Sequence, residues 1–464
     1  RRFTIRRPVA RERAGAGEIK ERLDRLRPPL GAVFLVAYAA TFLAPHPLVT
    51  TGFLGTGGLL LAASVPWAST FHKALALAGS LAFGVLLLSG RFDAGAFFDG
   101  LPAYFNIVAV LLILSIAGYP IRAARFEAQI RALVVTLTRR GVGVRTTSGV
   151  LGHLLGAVLD VGAFVLIDVI LHRAAPKGRV EALVWAGRAF SFAPLWTNLN
   201  VFTATTIELT GASYTGLLAV SLPFVALGLA ATLLFAQKER GDAIESPETL
   251  DRGAAAVLLY PVLLVAAVAL VSLFVPGLPL TAVVSVTIAA VVALIAALAA
   301  ALRRRSSPAR RLVRETRDSL SESHAEFALF GSAGVLVLSL EGLGALAPVG
   351  DLLSVLPATL VAPALALVTA MGFVAGIHVI PMVFLIDTAF PLEGGPAPAL
   401  WAVAILLGAQ AVLLLTPFSN NVTMLARLTG LHPLEIGPKK NWRFGLVLAL
   451  AVAAYLGLLT FLLL

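Results

Sequence analysis

The chain contains no cysteine, and only 13% of its 464 residues are charged. The absence of cysteine excludes disulfides, thiolate metal sites and cysteine nucleophiles. The low charge excludes an ordinary soluble enzyme, in which about a quarter of the residues are charged. Hydrophobic residues make up 58% of the chain. Apolar stretches close to 20 residues long recur along it, which predicts an all-α integral membrane protein.

Acidic residues are the minority among the charges, because 25 Asp and Glu stand against 36 Lys and Arg. The basic residues concentrate in three blocks between apolar stretches, at 1–28, 121–145 and 303–317. Such blocks are typical of the cytoplasmic segments of membrane proteins, so we expect a lipid bilayer and no nucleic acid as partner. No short apolar stretch with a cleavage site follows the N-terminus, so no signal peptide is predicted. We expect a protein of the bacterial inner membrane with a cytoplasmic N-terminus.

The chain divides into seven predicted segments. They are a basic cytoplasmic N-terminal segment (1–29, with an amphipathic helix that ends at Pro28–Pro29), scaffold helices (30–120), an interfacial connector helix (121–145), a first hairpin and broken helix (146–211), scaffold helices with a basic cytoplasmic loop at 303–326 (212–345), a second hairpin and broken helix (346–430), and a last cytoplasmic loop with the final helix (431–464).

Two apolar regions do not behave as simple spans. The first, 146–172, has arginines before and after it, so both of its ends favour the cytoplasm. We therefore predict a re-entrant hairpin, with its tip at Asp160, Val161 and Gly162. Each limb of about 12 residues rises ~18 Å, just past the middle of a ~30 Å core. The second region, 357–390, lacks flanking Lys and Arg and predicts a hairpin from the outside, with its tip near His378.

The two hairpins make the charge distribution consistent with about 11 transmembrane helices. All but three of the 36 Lys and Arg then fall on cytoplasmic segments. The exceptions are Arg91, Arg188 and Arg427. Treating either hairpin as a span would place a basic block on the wrong side of the membrane.

The hairpin regions and the segments that follow them resemble each other. The matches are Gly152 and Gly156 with Gly372 and Gly376, VGAFVLID (161–168) with IPMVFLID (380–387), and PLWTN (194–198) with TPFSN (416–420). In the predicted topology the first copy enters from the cytoplasm and the second from outside. The pattern therefore predicts an inverted repeat, which is how many secondary transporters build a midplane site.

Each copy contains a helix that is too long for one straight span and is interrupted by proline and polar residues. The polar candidates for a binding site are Thr197, Asn198 and Asn200 in the first copy and Ser419, Asn420, Asn421 and Thr423 in the second. Freed carbonyls and Asn, Ser or Thr oxygens suit Na⁺, while half-helix N-termini suit an anion. The alternative is that these side chains only join helices by hydrogen bonds.

Ionisable residues within the apolar regions are further candidates. A carboxylate at the Asp160 tip costs several kcal/mol unless it is paired, solvated or protonated, which makes it a candidate for ion coupling. The alternative is a structural, hydrogen-bonded Asp. His378, in the second hairpin, is the other coupling candidate. Asp168 is expected to cap a helix or to form an ion pair, for which Arg188 is the candidate partner.

These residues carry a resemblance to a known family. The stretch LLLTPFSNNVTMLARLTGLHPLEIGPKKNWRFGLVLAL (413–450) and the stretch AVLDVGAFVLIDVI (157–170) resemble the ion transporter superfamily, which includes the divalent anion:sodium symporters and the arsenical pump membrane proteins. The resemblance implies a homodimer. It also implies that each protomer has a scaffold domain and a transport domain that slides as an elevator.

We therefore expect a secondary active transporter for a small anionic, carboxylate-type solute, coupled to Na⁺ or H⁺, and not an enzyme. No cofactor and no resident metal are expected, although Na⁺ could bind at the hairpin tips and helix breaks. One alternative is a cation/proton antiporter on the same scaffold, with Asp160 as the exchange carboxylate. Another is a membrane enzyme acting on lipid, which would need acids or histidines clustered near one interface.

Overall fold

All regular secondary structure in the described part of the chain is helical. The computed structural model describes residues 9–120, 126–175, 178–238, 253–275, 278–303, 307–393 and 397–463. The chain divides into two compact units. Unit 1 comprises Arg1–Leu112 and Ala309–Leu343, and unit 2 comprises Ile113–Pro308 and Gly344–Leu464. The all-α fold predicted from composition is confirmed.

Unit 1 contains the N-terminal helices and a later helical segment. The N-terminal helices are Val9–Leu43, Pro47–Ser64, Thr70–Leu88 and Ala94–Ala117, of which the last continues beyond unit 1. The later segment consists of Ser307–Glu322, which begins two residues before unit 1, His324–Glu326, the π-helical turn Phe327–Gly331 and Ser332–Gly342. Two of these helices begin at capped residues, because His46 and Ser69 accept hydrogen bonds from backbone N–H groups in the first turn.

Aromatic side chains form the core of unit 1. Phe34 stacks on Phe53 with ring centroids 4.9 Å apart and meets Phe327 edge-on at 5.1 Å. Phe105 approaches both Phe34 and Phe53 at 6.3 Å. All four side chains are at most 1% exposed. The cluster joins four segments that are distant in sequence, and each buried ring contributes a large apolar area.

The N-terminal helix runs through both prolines. It extends without interruption from Val9 to Leu43, so the predicted helix end at Pro28–Pro29 is absent. A proline inside a helix removes one backbone hydrogen bond, a loss that packing on either side can outweigh. Here the Arg27 guanidinium lies 4.5 Å from the Trp67 ring centroid, and Phe34 is fully buried.

The predicted basic loop at 303–326 is mostly helical. Ser307–Glu322 forms a helix that continues, after Ser323, into the helical turns before Ser332. Its sequence supports a helix, because Pro308 occupies the first turn and Arg311 pairs with Glu315 at 2.9 Å with i,i+4 spacing. The high charge suggested a loop, but charge alone does not exclude a solvated helix.

Unit 2 contains both predicted repeats. Its helices are Phe126–Arg139, Val144–Leu159, Gly162–Ala174, Arg179–Phe190, Val201–Thr210, Tyr214–Lys238, Gly253–Phe274, Leu280–Arg303, Ala347–Ser354, Ala358–Val374, Val379–Ala389, Pro398–Val412, Asn420–Thr429 and Lys440–Leu463, with short turns at Ala193–Leu195 and Glu435–Lys439. The predicted connector contains Phe126–Arg139, while residues 121–125 lie outside the described ranges. The assignment of particular helices to a scaffold stays a prediction.

We name four parts of unit 2 by their residues. The first hairpin is Val144–Leu159 and Gly162–Ala174, and the first broken helix is Arg179–Phe190 and Val201–Thr210. The second hairpin is Ala358–Val374 and Val379–Ala389, and the second broken helix is Pro398–Val412 and Asn420–Thr429. In both copies the first limb of the hairpin packs along the first half of the broken helix that follows.

Glycine permits this close packing in both copies. A Cβ on Gly152 of the first hairpin would collide with the backbone of Ala186 in the first broken helix. A Cβ on Gly408 of the second broken helix would collide with the backbone of Ala366 in the second hairpin. The glycine therefore lies in the hairpin in the first copy and in the broken helix in the second copy. In both copies it allows the two helix backbones to approach closely.

Eight helical segments of the described chain are long and apolar enough to cross a membrane. They are Arg25–Leu43, Pro47–Trp67, Thr70–Leu88, Ala94–Ala117, Tyr214–Gln237, Leu280–Ala301, Arg310–Gly342 and Glu435–Leu463. They lie largely within the segments 30–120, 212–345 and 431–464, in which the sequence predicts membrane helices. Gly253–Phe274 and the two broken helices, whose halves have 10 to 15 residues, are not among the eight. The chain is an integral membrane protein by these criteria.

Candidate functional site

Asp160 lies at the turn of the first hairpin, as predicted, in an unusual backbone conformation. Its φ is 49° and its ψ is −138°, and Val161 follows at −59° and −20°. These angles are close to a type II′ turn, whose first central position favours glycine. Among the described residues, Asp160 alone has positive φ without being glycine. A side chain held in such a conformation costs about 1–3 kcal/mol, and such strain concentrates at functional sites.

The Asp160 side chain is exposed, and Gly162 beside it is exposed as well. No basic side chain in the described chain forms an ion pair with Asp160. Its carboxylate is therefore open to a cation, a proton or a solute.

The first broken helix is interrupted over residues 191–200, and its polar candidates are mostly buried there. Thr197 is 1% exposed and Asn198 is fully buried, while Asn200 is half-buried and caps the second half by accepting from the Thr203 N–H. The Thr197 hydroxyl donates to the Ala157 carbonyl at 3.1 Å, one turn before the Asp160 tip. The structure therefore brings this break and the first hairpin tip together.

Asn198 is only partly satisfied. Its amide Nδ2 lies 3.5 Å from the Val265 carbonyl, while its buried Oδ1 has no hydrogen-bond partner among the described residues. Leaving a buried acceptor unpaired costs about 1–3 kcal/mol, so a native chain usually supplies a partner or a ligand. An amide oxygen in this state suits a hard cation such as Na⁺.

His153 and Trp196 form a second link between the first hairpin and the first break. The Trp196 indole N–H donates to His153 Nε2 at 3.0 Å, and His153 Nδ1 lies 3.1 Å from the Ala189 carbonyl. This arrangement requires the neutral tautomer with its proton on Nδ1. The Tyr214 hydroxyl donates to the Trp196 carbonyl at 2.6 Å. Sequence reasoning missed Trp196, since only the fold shows that positions 153 and 157 face the break.

The remaining polar candidates lie at the end of the second break, residues 413–419, and in the first turn of the half-helix that follows it. Ser419 is buried and caps the second half by accepting from the Val422 N–H at 3.1 Å. The Thr423 hydroxyl donates to the Ser419 carbonyl, and Asn420 is exposed. Asn421 is 4% exposed, and its Nδ2 has no hydrogen-bond partner in the described part of the chain. Ser419 therefore caps this half-helix, and the other three residues lie in its first turn.

The second hairpin tip lies against this second break. Gly376 has a φ of +93°, and a Cβ there would be 3.6 Å from the Phe418 ring, which is 65% exposed. His378 caps the second limb, with its Nδ1 accepting from the Ile380 N–H at 3.4 Å. This cap gives His378 a structural role at the predicted tip. Phe418 was missed from the sequence because exposure of an aromatic ring at a break has no local signal.

The second halves of the two broken helices are equivalent. Each has ten residues, begins after a side-chain cap, and ends at a glycine in the left-handed conformation, Gly211 or Gly430. The second half of each broken helix contacts the second limb of the other copy's hairpin. Each copy therefore contributes a hairpin limb that packs against the other copy's broken helix.

The predicted Asp168–Arg188 pair is replaced by other contacts. Asp168 pairs with Arg179, whose Nη2 also donates to the Leu428 carbonyl. Arg188 donates to Asn441 Oδ1 at 2.9 Å and to the Lys440 carbonyl at 2.8 Å. Equal depth along two helices suggested the pair, but the helix that starts at Lys440 lies beside Arg188 instead.

Comparison with known proteins supports the fold. No family model matches the chain, and no curated protein matches it. Among solved structures it is similar to the Alcanivorax borkumensis YdaH transporter, a structure described as having an unusual topology. The sequences are 16% identical, the match covers 84% of this chain and 98% of that one, and the TM-score is 0.50. The chain therefore shares the fold of a membrane transporter.

Proposed function

We propose that this protein is a secondary active transporter for a small anionic solute, coupled to Na⁺ or H⁺. The observation that carries the proposal is the pair of broken helices, each with buried amide and hydroxyl groups at its break and each next to a hairpin tip. Unwound backbone inside a membrane protein is tolerated where it lines a cavity, and discontinuous helices mark the sites of many transporters.

The electrostatics of the breaks favour an anion together with a cation. Val201 and Asn420 each begin a half-helix at a break, so the positive ends of two helix dipoles are available to an anion. The buried Asn198 Oδ1 and the exposed Asp160 carboxylate supply negative partners for Na⁺ or a proton. Proposed ligands of the solute and ion are Thr197, Asn198, Asn200, Ser419, Asn420, Asn421 and Thr423 with the tip residues Asp160, Val161, Gly162 and His378.

An elevator mechanism in a homodimer is part of the proposal. Both hairpins and both broken helices belong to unit 2, so the whole site belongs to one compact body. The hairpins and the broken helices would then move with the bound solute as the transport domain, and the hairpins would be re-entrant.

The test is the thermal stability of the purified protein with a panel of small anions, with and without Na⁺, at two pH values. A ligand that binds the folded state raises Tm by mass action. We expect one anion class to raise Tm more in Na⁺ or at low pH, and Asp160→Asn and Asn420→Ala to remove that gain. Asn106→Ala in unit 1 is the matched control. Full response in both site variants would overturn the proposed site.

A cation/proton antiporter on the same scaffold is the second candidate. The Asp160 carboxylate favours it, because it has no ion-pair partner among the described residues and such a group can exchange a proton for a cation. In this case Tm would respond to cation or pH alone, and to no anion.

A further inference from the structure

The first hairpin holds the first break through His153. This side chain is 5% exposed and uses both nitrogens of its ring, because Nδ1 donates to the Ala189 carbonyl and Nε2 accepts from the Trp196 indole N–H. The imidazole and indole rings also stack, with their centroids 5.8 Å apart. The bond to Trp196 requires a neutral imidazole, since a protonated ring has no acceptor.

Trp196 stands immediately before two of the proposed ligands. The next residue, Thr197, donates to the carbonyl of Ala157, which lies one turn after His153 on the same limb. Positions 153 and 157 of the hairpin therefore hold consecutive residues of the break. The fully buried Asn198 follows directly, so its position depends on how firmly these residues are held.

The second break lacks the donor for such a bond. The match of PLWTN (194–198) with TPFSN (416–420) makes Phe418 the equivalent of Trp196. A phenyl ring has no N–H group, and Phe418 is 65% exposed. The indole bond to a hairpin side chain therefore distinguishes the first break from the second.

We propose that His153 is a positioning residue, whose neutral imidazole holds Trp196 and thereby sets Thr197 and Asn198 in place for a ligand. The role of Thr197 and Asn198 as ligands rests on the proposed function, and their control by His153 goes beyond it. Protonation gives Nε2 a hydrogen that faces the indole N–H, so two donors meet and the bond is lost. Lowering the pH therefore shifts the break towards a released state.

The neighbouring elements supply no partner for a protonated His153. The described ionisable side chains on the elements packed against this limb are Arg131, Arg139, Asp168, His172, Arg179, Glu181, Arg188, Tyr214 and Tyr260, and the limb itself carries Arg145 and Asp160. Among these described residues, none forms a hydrogen bond or an ion pair with His153. Burying a charge without a partner is unfavourable, which links protonation more tightly to release.

A buried cysteine tests the positioning, because the chain has no cysteine of its own. Asn198→Cys in the purified full-length protein should react slowly with a thiol reagent at neutral pH. Adding His153→Leu or Trp196→Phe, each of which removes one partner of the bond, should speed the reaction about tenfold. Adding His153→Gln should leave the reaction slow, since the Gln amide oxygen can accept from the indole N–H. Thr205→Cys, which is buried in the half-helix after the break, is the matched control and should stay protected in all four backgrounds.

The pH profile separates positioning from a purely structural role. Tryptophan emission followed from about pH 8 to about pH 4 should show a transition in the wild type that is absent in His153→Gln and in Trp196→Phe. The transition should remain in His172→Gln, which removes an exposed histidine from the same hairpin. An unchanged transition in His153→Gln would overturn the proposal. So would slow labelling of Asn198→Cys in both faster backgrounds, or equally fast labelling of the Thr205→Cys control.

The anion panel distinguishes failure of this proposal from failure of the proposed function. At neutral pH, His153→Gln should keep the ligand-dependent gain in Tm and His153→Leu should lose it. Full gain in His153→Leu would overturn the role of His153 in binding. If no anion or cation raises the Tm of the wild type while labelling and emission respond as expected, the proposed function fails and the positioning of the break by His153 stands.

Discussion

At the residue scale, Asp160 combines an open carboxylate with a strained backbone. Position 160 has dihedral angles that suit glycine, yet it carries a side chain with no ion-pair partner in the described chain. Packing around the tip must therefore compensate for the strain, because nothing local to the residue favours it. A residue kept at such a cost is a strong candidate for function.

We predict that Asp160→Gly stabilises the protein and abolishes coupled transport. Glycine relieves the strain at φ 49°. This relief outweighs the larger conformational entropy that glycine gives the unfolded chain, so the free energy of unfolding should rise by about 1 kcal/mol. Asp160→Asn keeps the strain and should leave Tm nearly unchanged while transport is lost. Thermal unfolding and proteoliposome uptake measure the two effects. Equal Tm values for the two variants would contradict the strain argument.

At the element scale, the two copies have equivalent half-helices but breaks of different length. Before the break, Phe190 and Val412 end the first halves at an offset of 222, whereas after it Gly211 and Gly430 end the second halves at an offset of 219. The difference arises because the first break has ten residues and the second has seven. No single offset therefore aligns the two copies across the break, and PLWTN (194–198) matches TPFSN (416–420) at the offset of the first halves.

We predict that Gly152→Ala and Gly408→Ala each destabilise unit 2 by about 2 kcal/mol, because each added methyl group collides with a neighbouring backbone. Gly84→Ala is the control, since Gly84 lies in the helix Thr70–Leu88 with open space around its Cα. Alanine favours a helix over glycine, so the control should be neutral or up to about 1 kcal/mol more stable. Denaturant unfolding measures all three. A control as destabilised as the site variants would refute close packing as the cause.

At the scale of the whole molecule, membrane orientation remains a prediction from charge. The bases of the two hairpins should face opposite sides of the membrane if the repeat is inverted. Residues 176–177 and 394–396, beside these bases, lie outside the described ranges, but Gly178 and Glu393 are described.

We predict that a cysteine at Gly178 reacts with a membrane-impermeant thiol reagent only from the cytoplasm, and one at Glu393 only from outside. The chain has no cysteine of its own, so each variant carries a single reactive thiol. Labelling of intact cells against inverted vesicles gives the result directly. Reaction of both positions from the same side would contradict the inverted repeat and the topology predicted from it.

The sequence by itself determined the membrane class, the positions of the two helix breaks and the positions of the hairpin turns. Each depends on local properties, namely apolar length, proline with neighbouring polar residues, and the placement of charge. Only the tertiary structure decided which partners meet. The Trp196–His153 bond and the contacts of Arg188 with Lys440 and Asn441 join residues 43 to 253 positions apart. The helix through Pro28 and Pro29 likewise depends on long-range packing, which outweighs the local preference of proline for a helix end.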